Sequence, residues 1–97
     1  MTAFLISRIS PRDPKKMAEY AKAAGQTLEV FGARPLLRGK AVKTLLGAED
    51  GRATGVIEFP DMASLNAWFA SPAYQDLAEL RDAAGDMQFI AYEVPVA

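Results

Sequence analysis

The chain has 97 residues, a net charge of −1 and a composition that is 51% hydrophobic against 24% charged, which indicates one globular domain spanning residues 1–97 and leaves no room for a separate catalytic module. It contains neither cysteine nor histidine. Those two absences exclude disulfides, thiolate chemistry, Fe–S clusters, Ser-His-Asp catalysis and His- or Cys-ligated metal or haem, so neither metal nor cofactor is expected.

Met1 to Ser10 contains the short apolar run Ala3-Phe4-Leu5-Ile6, interrupted by Arg8. It reads as a strand over Ala3 to Ser10, with faces Ala3/Leu5/Ser7/Ile9 and Phe4/Ile6/Arg8, and not as a signal peptide. No apolar stretch approaches the ~20 residues that span a bilayer, and the slight net acidity argues against a nucleic-acid surface. A soluble cytoplasmic protein is the expectation, with no membrane and no nucleic-acid partner.

Asp13 caps the next element and Pro14 suits its first position, where the missing N–H is not needed. Met17, Tyr20, Ala21, Ala24, Leu28 and Phe31 recur at spacings of three and four, forming one apolar helical stripe that Gly32 closes in a left-handed stop. Gly25 in its interior costs about 1 kcal/mol relative to Ala, which predicts a bend or early fraying there.

Ala33 to Leu46 reads as a strand interrupted at Gly39-Lys40, with Val42, Thr44 and Leu46 alternating against Lys43 and Leu45. Pro35 cannot donate to a ladder, so its part belongs at an edge or bulge. Gly47 to Gly51, with Glu49 and Asp50, makes a hairpin turn, and Val56 to Phe59 is the returning strand. Pro60 ends it and Asp61 caps a helix that carries Met62, Leu65, Trp68 and Phe69. Ser71-Pro72 repeats the cap-plus-proline signature, predicting a second helical piece from Pro72 to about Ala84, closed by Gly85. Its core stripe is read as Ala73, Leu77, Leu80 and Ala84, beside an amphipathic stripe of Tyr74, Ala78 and Arg81 that faces a cleft. Met87 to Val94 is the last strand.

The order β-α-β-β-α-β is the ferredoxin-like arrangement, an α+β fold with both helical layers on one side of a four-stranded antiparallel sheet. In its clearest strands neither face is polar. Leaving the second face wet would expose more than the few hundred Å² that monomers tolerate, so a homodimer through that sheet face is expected.

Leu37-Arg38-Gly39, Val56-Ile57-Glu58-Phe59-Pro60, Ala67-Trp68-Phe69 and Ser71-Pro72-Ala73-Tyr74-Gln75 together resemble the DUF1330 family of the dimeric α/β-barrel superfamily. The resemblance covers nearly the whole chain. It implies two ferredoxin-like sheets paired into a barrel, with a cavity between each sheet and its helices. Superfamily relatives include cofactor-free monooxygenases, haem enzymes and lactone isomerases. Where the family commonly has Arg-Gly-Gly, this chain has Arg38-Gly39-Lys40.

Glu58 is the most unusual position, an acid inside an apolar strand. It is a candidate acid, base or ligand-binding group if desolvated, or else a structural partner of Arg38, Lys43 or backbone. Arg38 is suited to holding a carboxylate through a forked pair of hydrogen bonds, or to an interface salt bridge. Trp68, Phe69 and Tyr74 line either a ligand cavity or the core.

Three functions therefore stand open. One is a homodimeric small-molecule-binding protein whose cavity is lined by Tyr20, Arg38, Glu58, Trp68, Tyr74 and Arg81. The second is a cofactor-independent oxygenase or isomerase acting on an aromatic or lactone-like substrate, with Glu58 as the candidate catalytic group. The third is a structural dimerisation module without a ligand.

Overall fold

The computed structural model describes residues 1–48 and 51–95. Its elements are β1 (Ala3–Pro11), α1 (Pro14–Leu28) followed by a 3-10 turn (Glu29–Phe31), β2 (Arg34–Gly39), β3 (Ala53–Phe59), α2 (Met62–Ala70), α3 (Pro72–Gln75), α4 (Ala78–Ala84) and β4 (Gly85–Glu93). The strands form one antiparallel sheet in the order β2-β3-β1-β4, as a ferredoxin-like fold requires.

Local signals set the helix starts. The Asp13 carboxylate accepts from the backbone N–H groups of Lys15 and Lys16, both at 3.1 Å, ahead of Pro14. Asp61 accepts from Ser64 N–H at 2.7 Å, and Ser71 Oγ from Tyr74 N–H at 3.3 Å. Gly32 ends the 3-10 turn at φ 68°, in the left-handed region glycine favours. Gly25 does not break α1, which runs through it to Leu28.

Strand alternation divides the sheet. One face presents Ala3, Leu5 and Ser7 of β1, Ile57 and Phe59 of β3, and Met87 and Phe89 of β4 to the helices. There they pack with Tyr20, Ala24 and Leu28 of α1, Leu65 and Trp68 of α2, and Tyr74 of α3. The opposite face carries Phe4, Ile6, Val56, Glu58, Ile90 and Tyr92, and no element among the described residues covers it.

Three expectations are corrected. The strand over Ala33 to Leu46 stops at Gly39, and Val42, Leu45 and Leu46 are 96%, 85% and 94% exposed. Gly39 already pairs with Thr54, and β3 begins one residue earlier at Ala53, so the ladder runs out. The turn residues Glu49 and Asp50 lie outside the described residues. Pro35 does sit on an edge strand, beside an irregularity between Pro35 and Leu37.

The helix expected over Pro72 to Ala84 is two pieces, with Leu77 N–H donating to Tyr74 O at 2.9 Å where they part. Its core stripe also shifts: Tyr74 is fully buried while Ala73 is exposed. The ring supplies far more apolar area than a methyl group, so burial follows the tyrosine.

Gly85 opens β4 instead of only closing a helix. Its extended backbone runs against β1, where a Cβ would stand 2.7 Å from Ser10 O and 3.2 Å from Pro11 Cα. Only glycine permits that approach.

Candidate functional site

A cavity of about 460 Å³ lies between α1 and the sheet, within the size range of small-molecule sites. Its floor is built by one row of the sheet. Ser7 of β1 pairs with Gly55 of β3, and Gly55 pairs with Arg38 of β2. Gly55 admits the close approach of the Ser7 side chain, since a Cβ there would stand 2.8 Å from Ser7 Oγ, and it adds no bulk of its own to the floor between Ser7 and Arg38. Ser7 is buried, and its Oγ donates to Gly55 O at 3.4 Å.

The wall opposite is the apolar stripe of α1. Tyr20, Ala24 and Leu28 line it, with Trp68 of α2 beneath. Trp68 is held in place by its indole N–H, which donates to Thr27 Oγ1 at 2.8 Å, while Thr27 donates to Ala24 O at 2.7 Å. The Trp68 and Tyr74 rings are 4.2 Å apart at their centroids. Arg38, Gly39 and Lys40 are exposed and mark the mouth.

Tyr20 joins this cavity to a buried polar chain. Its hydroxyl lies 2.8 Å from the Tyr74 hydroxyl, and Arg81 Nη1 donates to Tyr74 Oη at 3.4 Å. The Arg81 guanidinium carbon also stands 5.8 Å from the centre of the Tyr74 ring. Burial, and then the bond to Tyr74, hold the Tyr20 phenol well above its usual range. The Tyr74 bond raises the Arg81 guanidinium as well. Tyr20 is therefore a neutral hydroxyl at physiological pH, able to donate or accept but not to carry charge.

Arg81 lines a second cavity of about 480 Å³, with Arg12, Phe69, Asp82, Asp86 and Met87 among its neighbours. Arg12 there donates to the backbone carbonyls of Asp82 and Gly85, so its cation already serves to hold the α4–β4 junction.

The six residues singled out in the sequence fall into three groups. Tyr20, Arg38 and Trp68 line the cavity above the sheet. Tyr74 and Arg81 stand behind Tyr20 as its hydrogen-bonded support. Glu58 is elsewhere, on the uncovered face of the sheet, ion-paired at 2.9 Å with Arg34 and not with Arg38 or Lys43. Its side chain is 29% exposed and so keeps contact with water, and it does not line the cavity. Sequence reasoning missed Ser7, Gly55 and Lys40. A polar residue on the apolar face Ala3/Leu5/Ser7/Ile9 was the available signal for Ser7. Gly55 carried none, because its role depends on strands far apart in the chain.

Among the described residues, no group of three or more acidic side chains is placed to hold a metal ion. No helix among them is long and apolar enough to cross a membrane.

The fold is similar to that of a Rhodopseudomonas palustris protein of unknown function, with a TM-score of 0.79, 18% identity, and coverage of 99% of this chain and 84% of that one. A dimeric ferredoxin-like protein of unknown function from Jannaschia sp. aligns with a TM-score of 0.73 at 14% identity, covering 97% of this chain and 100% of that one. SnoaB, a cofactor-independent oxygenase from Streptomyces nogalater, aligns with a TM-score of 0.71 at 8% identity, covering 99% and 95%. No curated protein matches the chain. The DUF1330 family, described as a domain of unknown function, matches over residues 2–94, and the chain belongs to that family.

Proposed function

We propose that this protein is a homodimer, joined through the uncovered faces of its two sheets, that binds a small organic molecule between α1 and the sheet. The observation that carries the binding role is the cavity over Gly55, lined mainly by apolar side chains with a few placed polar groups, as ligand sites are built. The dimer rests on the apolar cross-strand pairs Phe4/Tyr92 and Ile6/Ile90/Val56, which the described residues leave uncovered. Dimeric relatives of this fold support it.

A second function is favoured by one observation, the neutral Tyr20 hydroxyl at the cavity wall, backed by Tyr74 and Arg81. In a cofactor-independent oxygenase or isomerase it would donate to a carbonyl oxygen that gains charge in the transition state. The likeness to SnoaB is in keeping with that reading.

The test is a thermal-shift screen of small aromatic acids and lactones against wild type and Gly25→Phe. Gly25 lines the cavity and a Cβ there meets no atom within 4 Å, so a larger side chain is tolerated at the backbone and is expected to take up part of the cavity. Compounds that stabilise wild type and not the variant support the binding role. No stabilisation of either protein by any compound contradicts it and favours the structural module.

A further inference from the structure

Taking the cavity over Gly55 as a binding site, we infer that its ligand is an organic anion, an apolar body ending in one carboxylate, bound with the carboxylate at Arg38 and Lys40 and the apolar end inward. The charge distribution around the cavity carries this. Its inner surface, formed by Leu5, Ser7, Tyr20, Leu28 and Trp68, is buried and bears no formal charge. A carboxylate placed there would lose its water and find only neutral hydroxyls, which is costly.

The mouth is the reverse. Arg38 and Lys40 both line it, both are exposed, and neither has an ion-pair partner among the described residues. No acidic side chain among the described residues lines this cavity. Two cations with no counter-charge among the described residues, at the rim of an apolar space, attract an anion and disfavour an amine. Arg38 presents the planar fork that matches a carboxylate.

The Ser7-Gly55-Arg38 row also sets a length. Neighbouring strands are ~4.8 Å apart, so Ser7 and Arg38 stand about two strand spacings, roughly 10 Å, from one another across Gly55. An anion held at Arg38 thus lays its body over Gly55 toward Ser7, whose hydroxyl and that of Tyr20 are the inner groups able to meet a second oxygen on the ligand.

Isothermal titration calorimetry with cinnamate and with cinnamamide tests this, because the two probes share a shape and differ in charge. Wild type is expected to bind cinnamate tighter than cinnamamide by on the order of tenfold, the scale of a net charge-assisted contact. The double variant Arg38→Met, Lys40→Met is expected to lose that preference while still binding cinnamamide. Added salt is expected to weaken cinnamate alone, since the mouth is exposed. Equal affinity in wild type, or a preference that survives in the double variant, overturns the anion and leaves the cavity as a neutral binding site. Binding of neither probe overturns the inference together with the binding role on which it rests.

Discussion

The Tyr20 and Tyr74 hydroxyls lie 2.8 Å apart, and through them an inward-facing side chain of α1 is tied to the short helix α3 and on to Arg81 of α4. Tyr74 is the junction of that chain. Tyr74→Phe strips a partner from both Tyr20 and Arg81, and is expected to cost about 1 to 3 kcal/mol, the range for leaving buried polar groups unpaired. Tyr20→Phe leaves the Arg81 to Tyr74 bond intact and should cost less. Urea denaturation of the two variants checks the order; a larger loss for Tyr20→Phe would contradict it.

The same pair predicts an alkaline limb. Burial raises the folded pKa of Tyr20 above its unfolded value, so the unfolded chain releases the phenolic proton near pH ~10 while the folded chain keeps it. The resulting stability is fully present below about pH 10 and is lost as pH rises above it, at up to ~1.4 kcal/mol per pH unit. Urea midpoints measured across that window should fall more steeply for wild type than for Tyr20→Phe. Parallel slopes would show that Tyr20 titrates alike in both states.

Glu58 and Arg34 form a pair with side chains 29% and 70% exposed. Ion pairs this wet contribute about 0 to 1 kcal/mol. Glu58→Gln is therefore expected to leave cinnamate affinity unchanged, because the carboxylate lies on the face away from the cavity, and to alter protomer stability by less than about 1 kcal/mol. A dimer that seals this face would desolvate the pair, and its weakening in Glu58→Gln would then appear in sedimentation. A change in ligand affinity with an intact dimer would return Glu58 to the site.

Ile90 pairs with Ile6 on the uncovered face and is itself exposed in the protomer. Ile90→Lys puts a charge into the proposed seam. Wild type is expected to sediment as a dimer at micromolar concentration, with a melting temperature that rises with protein concentration, and the variant as a monomer. A monomeric wild type of undiminished stability would sink the dimer.

What was legible in the sequence was what depends on near neighbours. Asp13-Pro14, Ser71-Pro72 and Gly32 act within a few residues, and each sits where its local chemistry places it. Pro35 excluded itself from a central strand by lacking a donor. Val42 to Leu46 misled because alternation looks the same whether or not a partner strand exists to pair with it. Helical spacing over an unbroken helix puts Tyr74 on a cleft-facing stripe, and the parting at Leu77 changes which side faces inward. Glu58 stands out in the sequence as an acid in an apolar strand, but its Arg34 partner comes from the β2–β3 register, where the two residues are paired. The floor row Ser7-Gly55-Arg38 was hidden for the same reason: it is written in strand pairing and not in spacing.

The binding role has a direct reporter, since Trp68 is the only tryptophan in the chain and lines the cavity at 2% exposure. Heteronuclear NMR of its single indole N–H, followed during a cinnamate titration, reads the cavity without interference from the sheet's other face. The indole resonance is expected to shift and saturate in wild type, and to shift less in Gly25→Phe, where the new ring is expected to take up part of the space. An indole resonance unmoved in wild type, with shifts confined to Ile90 and Tyr92 on the uncovered face, would contradict the account.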